Sequence, residues 1–423
     1  MTLPATPEQR WQVGHAQVGP VFAAFAQLLD ASARRDGVRH LVFVARDGEF
    51  LRTVQQCWQR ERGAADPLPL HYAYLSRRST QLLRHARIDD AAVQTALAVR
   101  AGVPSAASLL RFLGVDLAAL PPALQAQVAV CAPHDLAALA ATPAFQTALT
   151  AQRDQLIAQL RRYLATWGLP GATDVAFVDI GWQGSIVRTL QQALCRPGER
   201  LRLYQMGHWG EALPLPDTPA RIEGLLGDWQ RGRRLREGAV YQLALLLEAV
   251  CRENAPPVAG YAGLDPVLPR WAEDTHDAEA ERLNDQWREP LRAGVLQAVA
   301  EAARSSGDGD LGALRRQAQR RLMRLAWFPD AGARAAAEGL RHAEGHAAGW
   351  SVPLFSPQRP RPWRSPRAWV AGLASPWRSG YLMATGGWPA AALYAMLEAV
   401  LLATPPTWRQ RLQRLARRFG GID

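Results

Sequence analysis

The sequence predicts an α/β protein with a mostly parallel sheet and a helical C-terminal part. Uninterrupted apolar runs at 41–44 and 175–178 are typical of strands that are buried on both faces of a parallel sheet. Each run ends abruptly in a polar turn, and strand patterns disappear after about residue 268. Because a chain of 423 residues can bury a large core, we expect two domains.

The elements before residue 80 form a predicted βαβ unit. A helix at about 17–35 leads into a strand at 41–45, a helix from about Gly48 to Gln59 and a second strand at 71–76. A connection of this length that contains a helix joins parallel strands, so these two strands are expected to be parallel.

The later elements extend the sheet and then give way to helices. Residues 80–168, rich in Ala, Leu, Gln and Arg, are predicted to form a helical insertion. Further strands are predicted at 174–181, 201–207 and 221–227, and helices from about 185 and over 239–250. We therefore expect an α/β domain over 1–267 and a helical domain over 268–423, which ends in a basic amphipathic helix at 405–419.

Arginine supplies all of the basic charge of the chain. The net charge is +11 and lysine is absent, which excludes a Walker A lysine, a Schiff-base lysine and a kinase-type lysine. A GC-rich genome is the ordinary cause of such a bias. Since arginine also binds phosphate in a bidentate manner, phosphate-rich ligands and anionic surfaces are expected partners, whereas nucleic acid is not.

The cysteine spacing and the lengths of the apolar runs indicate the cellular compartment of the protein. Four widely spaced cysteines with no CxxC pair fit a reducing environment better than a disulfide framework or a zinc site. The N-terminus has no signal-peptide pattern, and no run of about 18 uncharged apolar residues occurs. We expect a cytoplasmic protein. The helix at 405–419 could contact the inner face of the cytoplasmic membrane or a partner protein.

The sequence FVDIGWQGS carries the strongest site signal. Asp179 ends an apolar strand, and the glycine-bearing loop Gly181–Ser185 then opens a helix. Ligands of open parallel sheets bind at such carboxyl ends, where glycines and a helix N-terminus favour an anion. The ordinary alternative is a βα turn in which Ser185 caps the helix.

Two other strand ends carry charged residues. ARDGEF places Arg46 and Asp47 before a turn at Gly48, and YLSRRS places Arg77 and Arg78 after the second strand. If that strand continued, the two arginines would point to opposite faces and only one would reach the site. Helix capping for the acid, and surface or ion-pair roles for the arginines, are the alternatives.

Three weaker signals lie elsewhere. Glu248 lies inside a very apolar helix, where a carboxylate is costly unless it is functional or paired with an arginine. His208 follows a predicted strand and could serve as an acid or base. The Asp-x-Asp of GDGD at 307–310 follows no apolar strand, so we interpret it as a linker.

Several of these stretches occur in an order that resembles a known family. They are GP at 19–20, LVFVARDGEFL, YAYLSRRS, FVDIGWQGS, LLEAV followed by PVAGY, and SPWRSG. Over roughly residues 11–385 the chain resembles the region after the phosphatase domain in bacterial polysaccharide-biosynthesis proteins. Those proteins are often labelled predicted hydrolases of the haloacid dehalogenase (HAD) superfamily, and this region is similar to a divergent phosphoribosyltransferase.

The resemblance implies a Rossmann-like, phosphoribosyltransferase-like sheet and a ribofuranosyltransferase. Such an enzyme transfers ribofuranose 5-phosphate from phosphoribosyl pyrophosphate to a glycan, here in capsule or lipopolysaccharide O-antigen biosynthesis. The acceptor is expected to be lipid-linked.

The resemblance also implies a role for each matched residue. The loop formed by Gly181, Gln183, Gly184 and Ser185 would hold the 5-phosphate. Asp179 would contact the ribose hydroxyls and Mg²⁺. The pyrophosphate site would consist of Arg46, Gly48, Arg77 and Arg78. Asp47 is the first candidate for the general base and Glu248 the second.

The chain departs from the family in two respects. No Asp-x-Asp-x-Thr follows an apolar strand, so a separate HAD-type phosphatase or other glycosyltransferases of the pathway are expected partners. Asp179 is followed by Ile180, where ordinary phosphoribosyltransferases carry a second acid. Three alternatives remain open: a HAD-like phosphatase with Asp47 or Asp179 as nucleophile, a nucleotide-sugar glycosyltransferase, and a non-catalytic scaffold.

Overall fold

A computed structural model describes most of the chain. The described residues are 5–85, 87–99, 105–209, 220–232, 235–272, 278–307, 309–343, 351–354, 369, 375 and 377–403. The predicted basic helix at 405–419 lies outside them. None of the described helices is long and apolar enough to cross a membrane.

A five-stranded parallel sheet with the order β2-β1-β3-β4-β5 organises the fold. Its strands are β1 (His40–Val44), β2 (Leu70–Ala73), β3 (Val175–Trp182), β4 (Arg202–His208) and β5 (Arg221–Asp228). The predicted α/β class with a mostly parallel sheet is confirmed. The chain adds β2 on one side of β1 and the later strands on the other. The carboxyl ends of β1 and β3 therefore flank a topological switch point, where such sheets bind ligands.

Helices surround this sheet and continue through the C-terminal part. They are α1 (Pro7–Val13), α2 (Gly19–Arg35), α3 (Gly48–Arg62), α4 (Arg77–Thr80), α5 (Asp90–Val99), α6 (Ala106–Phe112), α7 (Pro122–Val130), α8 (Leu136–Ala140), α9 (Pro143–Ala165), α10 (Ser185–Leu194), α11 (Leu235–Gln242), α12 (Ala244–Cys251), α13 (Ala278–Ser305), α14 (Leu311–Trp327), α15 (Ala331–Ala337) and α16 (Arg378–Ala403). The predicted insertion at 80–168 is helical, as expected.

The two faces of the sheet pack against different helices. Along β1, Leu41 and Phe43 enter a core with α2, α3, α13 and α14, whereas Val42 and Val44 enter a core with α9 and α10. This alternation is the period-2 geometry of a strand, and apolar residues at successive positions bury both faces. Helices α5–α9 form a third core of their own.

The structure corrects three sequence-based expectations. Strands do occur after residue 268, because β7 (Leu268–Trp271) pairs with β6 (Val258–Ala262) and β8 (Arg341–Ala343) pairs with β9 (Ser351–Pro353). Such short strands are stabilised by their pairing partners and carry no periodicity of their own. The predicted helix at 239–250 consists of α11 and α12, which are separated at Leu243.

The third correction concerns the strand predicted at 71–76, which ends at Ala73. Ser76 forms a capping box with Ser79, and α4 begins at Arg77. The two arginines therefore lie in the first turn of a helix, and the strand alternation considered for them does not apply.

Candidate functional site

Asp47 lies where β1 gives way to α3, at the edge of the switch point. It occupies the N-cap position of α3, yet its side chain makes no capping hydrogen bond within the described part of the chain. Its Oδ1 atom is buried and has no hydrogen-bond partner among the described residues. Helix capping, the ordinary interpretation of this acid, therefore does not account for it. A buried carboxylate oxygen without a donor is costly, which makes it a candidate for ligand binding.

The turn around Asp47 also explains Gly48. A Cβ atom on Gly48 would lie 3.0 Å from the carbonyl carbon of Phe43, so α3 could not pack this closely on β1 with a larger residue. The peptide between Ala45 and Arg46 is cis. Gly48 thus acts through packing, and it places the start of α3 against the strand.

Asp179 lies near the end of β3, on the other side of the switch point. Its Oδ1 accepts a hydrogen bond from the backbone N–H of Ile180 at 2.8 Å. The loop that follows contains a cis peptide between Gly181 and Trp182, and half-buried Gln183 precedes Gly184.

Helix α10 starts at Ser185, so the serine is the first helical residue and not the cap. The N-cap is Gly184 at φ 64°, and no side chain of the described residues caps this helix. The N–H groups of its first turn are therefore not occupied by a capping side chain, as an anion site requires.

The two glycines of this loop have a packing role. A Cβ atom would lie 2.5 Å from the carbonyl oxygen of Gly207 if placed on Gly181, and 2.7 Å from Cδ1 of Ile222 if placed on Gly184. Close packing on β4 and β5 therefore accounts for both glycines, whether or not their backbone binds a ligand.

Three carboxyl groups interact at the switch point, and we call Asp47, Asp179 and Glu248 the carboxylate cluster. Burial, reinforced by the charge of Glu248, raises the pKa of Asp47 to about 6. Burial, reinforced by the charges of Asp47 and Glu248, raises the pKa of Asp179 to about 8. Glu248 thus disfavours ionisation of both aspartates, and Asp47 disfavours ionisation of Asp179, which is typical of functional carboxylate sites.

Glu248 reaches the cluster from α12. Its Oε1 accepts a hydrogen bond from Nε1–H of Trp182 at 2.7 Å. The sequence suggested an arginine partner for this carboxylate, and the hydrogen bond that the structure describes comes from the tryptophan of the β3 loop. This contact ties α12 to the turn after Asp179.

Arginines oppose the negative charge of the cluster. The charges of Arg252, Arg46 and Arg77 lower the pKa of Asp47, and Arg77 also lowers that of Asp179. Exposed Arg77 begins α4, and half-buried Arg78 follows it. Sequence reasoning missed Arg252, although it lies four residues after Glu248, at the C-cap of the same helix.

Arg46 is held by the segment that follows α12. Its Nη1 donates to the carbonyl oxygen of Ala255 at 2.8 Å, and its own carbonyl oxygen accepts from the N–H of Glu253 at 3.3 Å. Burial and the charge of Arg252 lower the pKa of Arg46 to about 10, so it stays protonated at neutral pH.

The other two weaker sequence signals, His208 and GDGD, lie outside the cluster. His208 is buried at the end of β4, and its Nδ1 lies 3.0 Å from Oε1 of Gln205. Burial lowers its pKa, which favours the neutral ring. In GDGD, Asp310 accepts a hydrogen bond from the N–H of Gly312 and caps α14, as the linker interpretation expects.

The cluster is not a ready-made metal cage. Over the described residues, no group of three or more His, Cys, Asp or Glu side chains is placed to hold a metal ion. The neighbouring acids and the raised pKa of Asp179 do fit a Mg²⁺ ion bound by that one carboxylate together with the phosphate oxygens of a ligand, which is its common mode of binding.

No protein-family model matches this chain, and no curated protein is significantly similar to it in sequence. The site itself therefore carries the functional argument.

Proposed function

We propose that the protein is a glycosyltransferase that transfers ribofuranose 5-phosphate from phosphoribosyl pyrophosphate to a glycan acceptor in surface-polysaccharide biosynthesis. The main support is the meeting of Asp47 and Asp179 from the two strands that flank the switch point, beside several arginines. A donor with both ribose hydroxyls and phosphates requires acids and arginines at one place.

The donor would lie across the switch point. The uncapped start of α10 would bind the 5-phosphate through backbone N–H groups. Asp179 would bind the ribose hydroxyls. Arg46, Arg77 and Arg78 would bind the pyrophosphate and stabilise its charge as it leaves. When bound, Mg²⁺ would be held by Asp179 and would neutralise pyrophosphate charge.

Asp47 is the proposed general base. A pKa of about 6 leaves it mostly ionised at neutral pH, and its Oδ1 has no hydrogen-bond donor among the described residues, so it can accept a proton. The bond between the anomeric carbon and a pyrophosphate oxygen breaks, and a bond from the acceptor hydroxyl oxygen to that carbon forms. The hydroxyl proton passes to Asp47 and pyrophosphate departs. Glu248, already hydrogen-bonded to Trp182, is the second candidate. A separate phosphatase would then remove the 5-phosphate.

A thermal-shift titration with phosphoribosyl pyrophosphate, with and without Mg²⁺, tests the donor. Ligand at a hundred times its Kd stabilises a folded protein by about 2.7 kcal/mol, so binding should be visible. We expect a Mg²⁺-dependent shift with phosphoribosyl pyrophosphate and none with a panel of nucleotide sugars. A shift with one nucleotide sugar alone would replace the proposed donor, and no shift with any of them would favour a scaffold.

Variants then test the roles of the acids. Asp179→Ala should abolish transfer while the protein stays folded, and Asp47→Asn should lower kcat by at least a hundredfold. Asp174→Asn is the matched control, because Asp174 precedes the same strand at its far end, where it pairs with Arg39 at 2.8 Å. Full activity of Asp179→Ala would remove this residue from the donor site.

A further inference from the structure

A groove runs along the outer edge of β2, and we call it the edge groove. It encloses about 450 Å³, and its walls include Glu49, Arg52, Tyr72, Tyr74, Trp167 and Glu253. All six side chains are half-buried, so each presents part of its surface to the groove or to solvent. None of them belongs to the donor site proposed above.

The polar side of the edge groove is rich in oxygen acceptors. The Tyr72 hydroxyl donates to Oε2 of Glu253 at 2.6 Å, which fixes that carboxylate. The guanidinium group of Arg52 lies 5.2 Å from the centre of the Tyr72 ring, and its Nε is buried without a hydrogen-bond partner among the described residues. Glu49 also pairs with Arg292 at 3.6 Å, so two arginines balance the two carboxylates, and the Nε–H of Arg52 is a buried donor left over.

This charge balance selects the kind of ligand. A groove whose charges balance does not concentrate phosphate or pyrophosphate, in contrast to the arginine-rich switch point. A neutral ligand with many hydroxyl groups fits better, because it can donate to Glu49 and Glu253 and accept from Arg52.

The aromatic side supplies flat apolar surface. The rings of Tyr72 and Tyr74 meet edge to face with centroids 5.2 Å apart, and Trp271 packs edge to face on Tyr74 at the same distance. Trp167 lies against His71 at 6.1 Å. The C–H face of a sugar ring packs on such aromatic surfaces, while its hydroxyls bond to the polar wall.

We propose that the edge groove is a saccharide-binding site and that it holds the acceptor glycan. The groove adjoins the carboxylate cluster, since Glu49 follows Asp47 by two residues and the N–H of Glu253 donates to the carbonyl oxygen of Arg46. A sugar seated there would lie beside the start of α3, where the proposed base is the N-cap residue. The acceptor role rests on the proposed function, whereas saccharide binding does not.

Saturation-transfer-difference NMR of the full chain tests the site without any donor. The probes are p-nitrophenyl glycosides of glucose, galactose, mannose, rhamnose, N-acetylglucosamine and N-acetylgalactosamine. We expect saturation of the sugar C–H protons of at least one glycoside. Its affinity should fall at least fivefold in Trp167→Ala and in Glu253→Gln. The matched control is Trp388→Ala, which removes an exposed tryptophan of α16 and should bind as wild type does.

The outcomes separate this inference from the proposed function. Binding that survives both groove variants, or no binding of any glycoside, would overturn the saccharide site. Glu253→Gln keeps the shape of the wall, so it remains informative if Trp167→Ala unfolds. Saccharide binding without a shift by phosphoribosyl pyrophosphate would leave the groove standing and refute the donor. A thermal shift by phosphoribosyl pyrophosphate without saccharide binding would support the donor and refute the saccharide site.

Discussion

Replacement of Asp179 by asparagine should change how the stability of the protein depends on pH. Burial and the charge of Asp47 raise the pKa of Asp179 to about 8, whereas an aspartate in an unfolded chain has a pKa of about 3.9. Between these values the folded protein holds one more proton than the unfolded chain. The contribution of Asp179 to the free energy of unfolding is therefore complete below pH 4. It is lost as the pH rises through 8, by up to about 1.4 kcal/mol for each pH unit.

Asp179 dominates the window from pH 6 to pH 8, because Asp47, with a pKa of about 6, is already half ionised at its lower limit. Over these two units the wild type should lose about 2 kcal/mol of unfolding free energy that Asp179→Asn does not lose. The assay is urea unfolding followed by tryptophan fluorescence at pH 6, 7 and 8.

Asp174→Asn is the control for this measurement. The hydrogen bond from Arg39 lowers the pKa of Asp174, so its titration lies below the window, and this variant should keep the wild-type slope. If Asp179→Asn also kept that slope, the carboxyl group would not be buried beside Asp47, and the carboxylate cluster would be refuted.

Three further substitutions test the surroundings of the cluster. Gly184→Ala should destabilise the protein by about 1 to 2 kcal/mol, because φ is positive there and a Cβ would lie 2.7 Å from Ile222. An unchanged urea midpoint would show that the turn accommodates the methyl group without loss of stability. Trp182→Phe removes the donor to Glu248 and should cost about 1 to 3 kcal/mol, measured in the same assay. Equal stability of this variant would mean that the hydrogen bond contributes nothing. Arg77→Ala removes a positive charge that acts on both aspartates and that is proposed to bind the pyrophosphate. Calorimetry should therefore show at least tenfold weaker binding of phosphoribosyl pyrophosphate at pH 7. Undiminished binding would take Arg77 out of the donor site.

The buried strands could be predicted closely from local pattern. The predicted ends of β1 and β3 lie within one residue of those in the structure, because strands covered on both faces contain continuous runs of apolar residues. The short pairs β6–β7 and β8–β9 could not be predicted, since a strand of three to five residues depends on its partner for stability. The break between α11 and α12 has no sequence signal either, because apolar residues continue through it.

The site shows the same division between local and long-range information. Asp47 and Asp179 were predicted because each follows an apolar strand, and parallel strands present their carboxyl ends at one edge. Arg252 was missed, because its sequence neighbourhood is that of an ordinary helix end. Only the fold brings its charge to Asp47.

The sequence by itself determined the α/β class, the positions of the long strands and the polar residues at their ends, because each follows from runs of neighbouring residues. The tertiary structure alone decided that Ser185 is not a cap, that Trp182 holds Glu248, and that an aromatic and polar groove lines the edge of β2. These features join residues that are far apart in the chain. Their pairing depends on the strand order and on which helices cover each face, and local periodicity does not encode either of these.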